Sequence, residues 1–97
     1  MEVQDKLVDL QKVPCPVRFE LLDKKSSIEV QYFIEQKIPN RHDLENGYCV
    51  FAVTTDGWGL LIDANFDSDA VMQKEANDID FIDITLSELL AAKHVFL

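Results

Sequence analysis

The sequence holds two cysteines and two histidines, types that can act as nucleophile, general base or soft metal ligand: Cys15, Cys49, His42 and His94. A catalytic Cys–His pair needs both groups in contact, with a third residue orienting the base. Nothing in the spacing suggests such a pair. Cys15 lies between Pro14 and Pro16, Cys49 sits in an apolar run, His42 falls in a polar stretch, and His94 is near the far end. No C-x-x-C or H-x₃-H spacing brings two zinc ligands together. The three glycines form neither a P-loop nor a dinucleotide fingerprint. Eighteen acids make chance carboxylate pairs inevitable, so their presence says nothing about acid–base catalysis. The expectation is a protein with no catalytic residues and no cofactor.

One loop carries oxygens at every second position: Asp63, Asn65, Asp67 and Asp69. An EF-hand loop begins this way. It also needs Gly at position six, where Ser68 stands, and Glu at position twelve, where Lys74 stands. Two readings remain for this stretch, a solvated turn leading into a helix cap and an off-pattern, weak calcium site.

Charge narrows the partner classes. The net charge is −9, and it is uneven. Residues 1–47 hold seven bases and nine acids, whereas residues 48–97 hold two bases and nine acids. Nucleic-acid backbones and anionic lipid both require clustered Lys and Arg, so neither is an expected partner. A basic protein would be attracted, and at a raised rate. The other reading of the acidity is solubility alone. No apolar run is long enough to span a membrane, and MEVQDKLVDLQK lacks the apolar core of a signal peptide. Two cysteines are too few for a disulfide framework. A cytoplasmic setting is expected.

Ninety-seven residues with 47% hydrophobic content fit a single domain, 1–97. Val3, Leu7 and Leu10 have helical spacing, and Pro14 and Pro16 end that helix. VRFELLD reads as a strand, followed by a turn at DKKSS. In SIEVQYFIEQK, Ile28, Val30, Tyr32 and Ile34 alternate with Glu29, Gln31 and Glu35, which predicts a strand with one wet face. Phe33 is the exception on the wet side. Residues 39–47 read as a loop or one helical turn. YCVFAVT is apolar on both faces, as a central strand would be. Asp56-Gly57 predicts a two-residue hairpin turn into WGLLID. Residues 64–78 read as a loop and a short helix, capped by Asp67 or Ser68, and IDFIDI as a possible fifth strand. Thr85-Leu-Ser-Glu88 is a capping box opening a last helix, and His94-Val-Phe-Leu predicts a docked end. The fold expected is α+β: an antiparallel sheet of four to five strands with helices packed on one face, in the order α-β-β-β-β-α-(β)-α.

Trp58 stands between two glycines beside the hairpin turn. It either folds onto the sheet over Gly59 or projects as an interface anchor. With Tyr32 and Phe33 it would form an apolar patch rimmed by acids, which is the composition of an interface. The expected contact residues are Asp56, Trp58, Asp63, Asp67, Asp69, Tyr32 and Phe33.

Residues 48–90 resemble the second half of the SUKH superfamily of bacterial toxin-immunity proteins. The likeness lies in Val50-Phe-Ala-Val, Asp-Gly-Trp-Gly and Leu-Leu-Ile-Asp63, then Ala70-Val71 and Ile84-Thr-Leu-Ser-Glu-Leu-Leu90. The first half departs, with one short helix leading straight into a strand hairpin. The resemblance implies a non-enzymatic inhibitor that neutralises a basic toxin domain by occluding or mimicking its substrate site. Charge alone allows a phage-type DNA mimic or anti-defence protein, a small interaction module, or a ligand binder. Monomer and homodimer are both open.

Overall fold

A computed structural model describes residues 2–22, 26–34, 44–45, 47–76 and 78–97, with Leu44 and Glu45 described by backbone alone. Helix α1 spans Val3–Gln11 and buries Leu7 and Leu10. Strands β1 (Val17–Leu21), β2 (Ser26–Phe33), β3 (Leu44–Glu45), β4 (Tyr48–Thr54), β5 (Gly59–Asp63), β6 (Ala70–Glu75) and β7 (Asp78–Thr85) follow. Helix α2 (Leu86–Ala91) and strand β8 (Lys93–Phe96) complete the order.

Among the described residues all strand pairings are antiparallel, in one sheet ordered β7-β6-β5-β4-β2-β1-β8, with β3 pairing β4 off that path. The sheet curls into a half-barrel. Helix α2 touches both β1 and β7, strands that lie near opposite ends of the sheet order. Only a curled sheet allows that. The curl has a local cause in three register shifts, at Val30/Tyr32, Val50/Ala52 and Val71/Met72. Bulges bend a strand and increase its twist. The third brings Asp83 to φ 54 within β7.

The expected sheet of four to five strands with helices packed on one face is therefore incorrect. The described residues are mostly sheet, with two small helices. Two segments account for the difference. Residues 70–75, read as a helix, are β6, paired on both sides by β5 and β7. Helix propensity is a weak prior, and a helix here would leave the facing backbone edges of β5 and β7 unpaired. Ser68 Oγ accepts from the Ala70 amide at 3.2 Å, so it leads into a strand and caps no helix. The C-terminal run is β8, which pairs with β1.

The hairpin at Asp56-Gly57 also differs in detail. The Thr54 amide donates to the Trp58 carbonyl at 2.8 Å, and the Gly57 amide donates to the Thr54 carbonyl at 3.0 Å. The connection is thus three residues, 55–57, with Gly57 at φ +88 in the left-handed position such loops need. In the stretch read as a loop or helical turn, Leu44 and Glu45 form β3 and Glu45 stands opposite Tyr48. The rest of that stretch, residues 39–43 and 46, lies outside the described residues apart from Gly47.

Candidate functional site

The sheet has two faces with different contents. The face under the helices holds the core: Leu10 from α1, Phe19 from β1, Phe51 from β4, Ile62 from β5 and Leu89 from α2, among others. Among the described residues, no polar or charged side chain is fully buried there. A void of about 10 Å³ beside Gln11 and Cys49 is too small for a substrate. Two open depressions lie elsewhere. One, of about 220 Å³, is lined by Leu21, Leu22 and α2. The other, of about 580 Å³, lies over Arg18, Ser27 and Glu29 on β1 and β2. Its charges are partly spent on each other, since Arg18 Nε lies 3.3 Å from Glu29 Oε2.

The outer face is built by register. In an antiparallel pair, residues directly opposite share a face. Val50 pairs with Leu61, Leu61 with Met72, and Met72 with Phe81, which gives an apolar row across four strands. A second row runs Tyr32, Val53, Gly59, Lys74 and Ile79. Leu61 is fully buried but lies outside the helix-covered core. Tyr32 and Phe81, at opposite sides of this tract, are 51% and 62% exposed.

The bulge in β2 decides which aromatic faces out. Ile28 and Val30 point to the core, Gln31 is the extra residue, and Tyr32 then falls outside while Phe33 falls inside. Phe33 packs edge-to-face on Phe19 with centroids 6.3 Å apart. The regular alternation expected for β2 had placed these two the other way round. Phe33 on the wet side was the anomaly that signalled the extra residue.

The expected contact residues do not form one patch. Trp58 is half-buried and stands opposite Thr54, which pairs with Val30 of the core, so it lies on the other face from Tyr32. Asp56 is exposed at the β4–β5 tip. Asp63, half-buried, is at the opposite end of β5, roughly 13 Å of strand away. Asp67 is exposed at that same far end. Asp69 is already engaged. Its Oδ2 accepts from Lys6 Nζ at 3.1 Å and from Ser87 Oγ at 3.0 Å. Partial burial alone would raise its carboxyl pKa, but the hydrogen bonds from Lys6 and Ser87 outweigh this and leave it below the usual value.

The calcium reading gains no support from this geometry. Asp63 Oδ1 accepts from the Asn65 amide at 2.9 Å, and the Phe66 amide donates to the Asp63 carbonyl at 3.0 Å, so the loop satisfies itself. Among the described residues no three of His, Cys, Asp and Glu come together as a metal site. Cys49 is buried in the core, whereas Cys15 is exposed and His94 packs against Phe19 with centroids 4.9 Å apart. Desolvation pushes the Cys15 thiol above its usual pKa, against an opposing hydrogen bond from the Phe33 backbone. His42 lies outside the described residues.

What the topology does gather is charge. Residues 55–85 hold eight acids and one base. They form β5, β6, β7 and their connections, which are neighbours in the sheet. The β4–β5 and β6–β7 tips lie at the same end, because Gly59 stands opposite Lys74. That end carries Asp56 and the facing pair Glu75 and Asp78, all exposed. Glu29 lies beside that end, its backbone carbonyl accepting from the Thr55 amide at 3.0 Å, but its carboxylate is paired with Arg18. Sequence reasoning missed Glu75, Asp78, Val53, Met72 and Phe81 as site residues. The signals were present: YCVFAVT is apolar on both faces, and Ile79 and Phe81 alternate with Asp78 and Asp80.

No protein-family model, curated protein or solved structure matches the chain. Among the described residues, no helix is long and apolar enough to cross a membrane.

Proposed function

We propose that this chain is a non-enzymatic, acidic protein-binding inhibitor whose partner presents a basic surface. One observation carries the reading: the strand order keeps β5, β6 and β7 contiguous, so a charge excess in the sequence becomes a charged flank in space. A flank of one sign accelerates encounter with the opposite sign and discriminates against wrong partners. The specific form that the SUKH resemblance implies is an immunity protein that neutralises a basic bacterial toxin.

The test is capture of the partner from the native host, followed by titration of the purified pair across a salt series. The expected result is a cationic binding surface on the partner and an affinity that falls roughly tenfold or more with rising salt. Affinity indifferent to salt would overturn the electrostatic reading. Co-expression then examines the finer role: a toxin partner should become harmless to cells in the presence of this chain. Competition by duplex DNA for a DNA-binding partner would favour the DNA-mimic role instead.

A further inference from the structure

We infer that this chain forms a weak symmetric dimer by pairing β8 with β8 of a second copy, antiparallel and centred on Val95. This goes beyond the acidic-inhibitor reading and does not rest on it. The starting point is an open edge. β8 ends the sheet, and no described strand pairs with it on the side away from β1. The Leu97 amide donates to the Pro16 carbonyl at 3.1 Å. Along an antiparallel strand, successive residues turn their backbone groups to opposite sides. Lys93 and Val95 therefore face β1, as Leu97 does. His94 and Phe96 turn their amides and carbonyls outward, where no described backbone group meets them. Outward groups of this kind are a template for another strand.

The two edges of the sheet are not equally open. β7 carries Asp78, Asp80 and Asp83, and its register shift is accompanied by Asp83 at φ 54. Charge and a bulge are the devices by which proteins refuse edge pairing. β8 has an unbroken register against β1, and its Lys93 stands opposite Glu20. Residues 89–97 contain no acid. Phe96 stands opposite the fully buried Val17, hence on the core face, yet it is 61% exposed. An aromatic on the core face without cover supplies the apolar part of the contact.

The occupant follows from self-complementarity. With Val95 on the two-fold axis, His94 of each copy stands opposite Phe96 of the other, and each pair exchanges two amide–carbonyl bonds. The Phe96 ring then lies beside a His94 ring already held by Phe19 and the Leu89 carbonyl. A slip of one residue would flip the side chains to the wrong face. A foreign acidic strand would be repelled by a chain of net charge −9, and a basic one would find no acid on β8. The four residues of β8 make a contact smaller than a standard stable interface. The dimer is therefore weak, with a Kd of about 10–100 µM. Salt should tighten it, because the contact is nearly uncharged while the two acidic bodies repel.

The test combines sedimentation equilibrium with amide hydrogen exchange over a concentration series of the full chain. A monomer–dimer equilibrium is expected that strengthens severalfold with salt. The His94 and Phe96 amides should exchange fast in dilute protein and slowly in concentrated protein, whereas Val95 should be protected in both. Phe96→Lys should weaken the dimer by about tenfold or more, although it lowers the net negative charge. Asp80→Lys, the same new charge on the other edge strand, should not weaken it. Phe96 is exposed, and continued protection of Val95 in the variant would verify the fold. A monomer well above the expected Kd, concentration-dependent protection on β7 in place of β8, full dimer affinity in Phe96→Lys, or a dimer that weakens with salt would each overturn the inference. None of these outcomes bears on capture of a basic partner, which loses affinity with salt.

Discussion

The Lys6 ammonium lies 3.1 Å from the Asp69 carboxylate, tying α1 to the loop before β6. The same oxygen accepts from the Ser87 hydroxyl, and the Asp69 carbonyl accepts from the Leu86 amide at 2.9 Å. One acid therefore fastens both helices to the sheet. Both side chains of the ion pair are mostly buried, at 20% and 23% exposed, so the contact is screened less than a surface pair would be.

Replacing Asp69 by Ala should cost about 1–2 kcal/mol, since charge-assisted hydrogen bonds are lost and Lys6 loses its partner. The pH dependence follows from the depressed carboxyl. A group whose folded pKa is lowered contributes stability above its unfolded pKa and loses it as pH falls toward the folded value. The gap between the wild type and Asp69→Ala should therefore be full at neutral pH and shrink below about pH 4. Denaturant titrations at several pH values would read this. A gap that stayed constant into strong acid would contradict the assignment.

Exchanging the roles of Tyr32 and Phe33 makes the β2 bulge testable. Phe33→Ala should lose about 2–3 kcal/mol, because it removes ring contact with Phe19 and opens space at the core. Tyr32→Ala should lose under about 1 kcal/mol, being half in solvent. Regular alternation without the bulge would give the opposite ranking. Thermal melts of the two variants decide between them.

Two backbone positions should respond with opposite signs. Ala76 is held at φ 54, where a Cβ is strained, so Ala76→Gly should stabilise by about 0.5–1 kcal/mol. Gly57 sits at φ +88 with open space where a Cβ would go, so Gly57→Ala should destabilise by about 1 kcal/mol through backbone conformation alone. Chemical denaturation of both variants measures the pair. The same sign for both would refute the strain argument.

Loss of the cap on α2 should be felt at the helix and at the sheet it bridges. Thr85 Oγ1 accepts from the Glu88 amide at 3.1 Å, and Glu88 Oε1 accepts from the Thr85 amide at 3.2 Å. Thr85→Ala should cost about 1 kcal/mol, and Thr85→Ser should recover most of it. Hydrogen exchange at Glu88 would report fraying directly, as faster exchange in the Ala variant.

Local chemistry made much of this chain legible. The capping box at Thr85 and Glu88, the helix ended by Pro14 and Pro16, and the alternation in β1 all follow from side chains a few residues apart. YCVFAVT announced a central strand, and β4 is one, with β2 and β5 on either side. Such signals are short-range, so a linear reading captures them. The acidic excess of residues 48–97 was equally plain.

Tertiary pairing decided the remainder. Residues 70–75 carry no strong preference of their own and became β6 because β5 and β7 offered backbone partners on both sides. The extra residue at Gln31 sent Tyr32 outward and Phe33 inward, a choice set by register against β4. Asp69, which looked like a free surface acid, was claimed by Lys6 from 63 positions away. Composition told how much negative charge there is. Only the order of strands in the sheet, set by long-range hydrogen bonding and burial, decided that this charge lies along one flank.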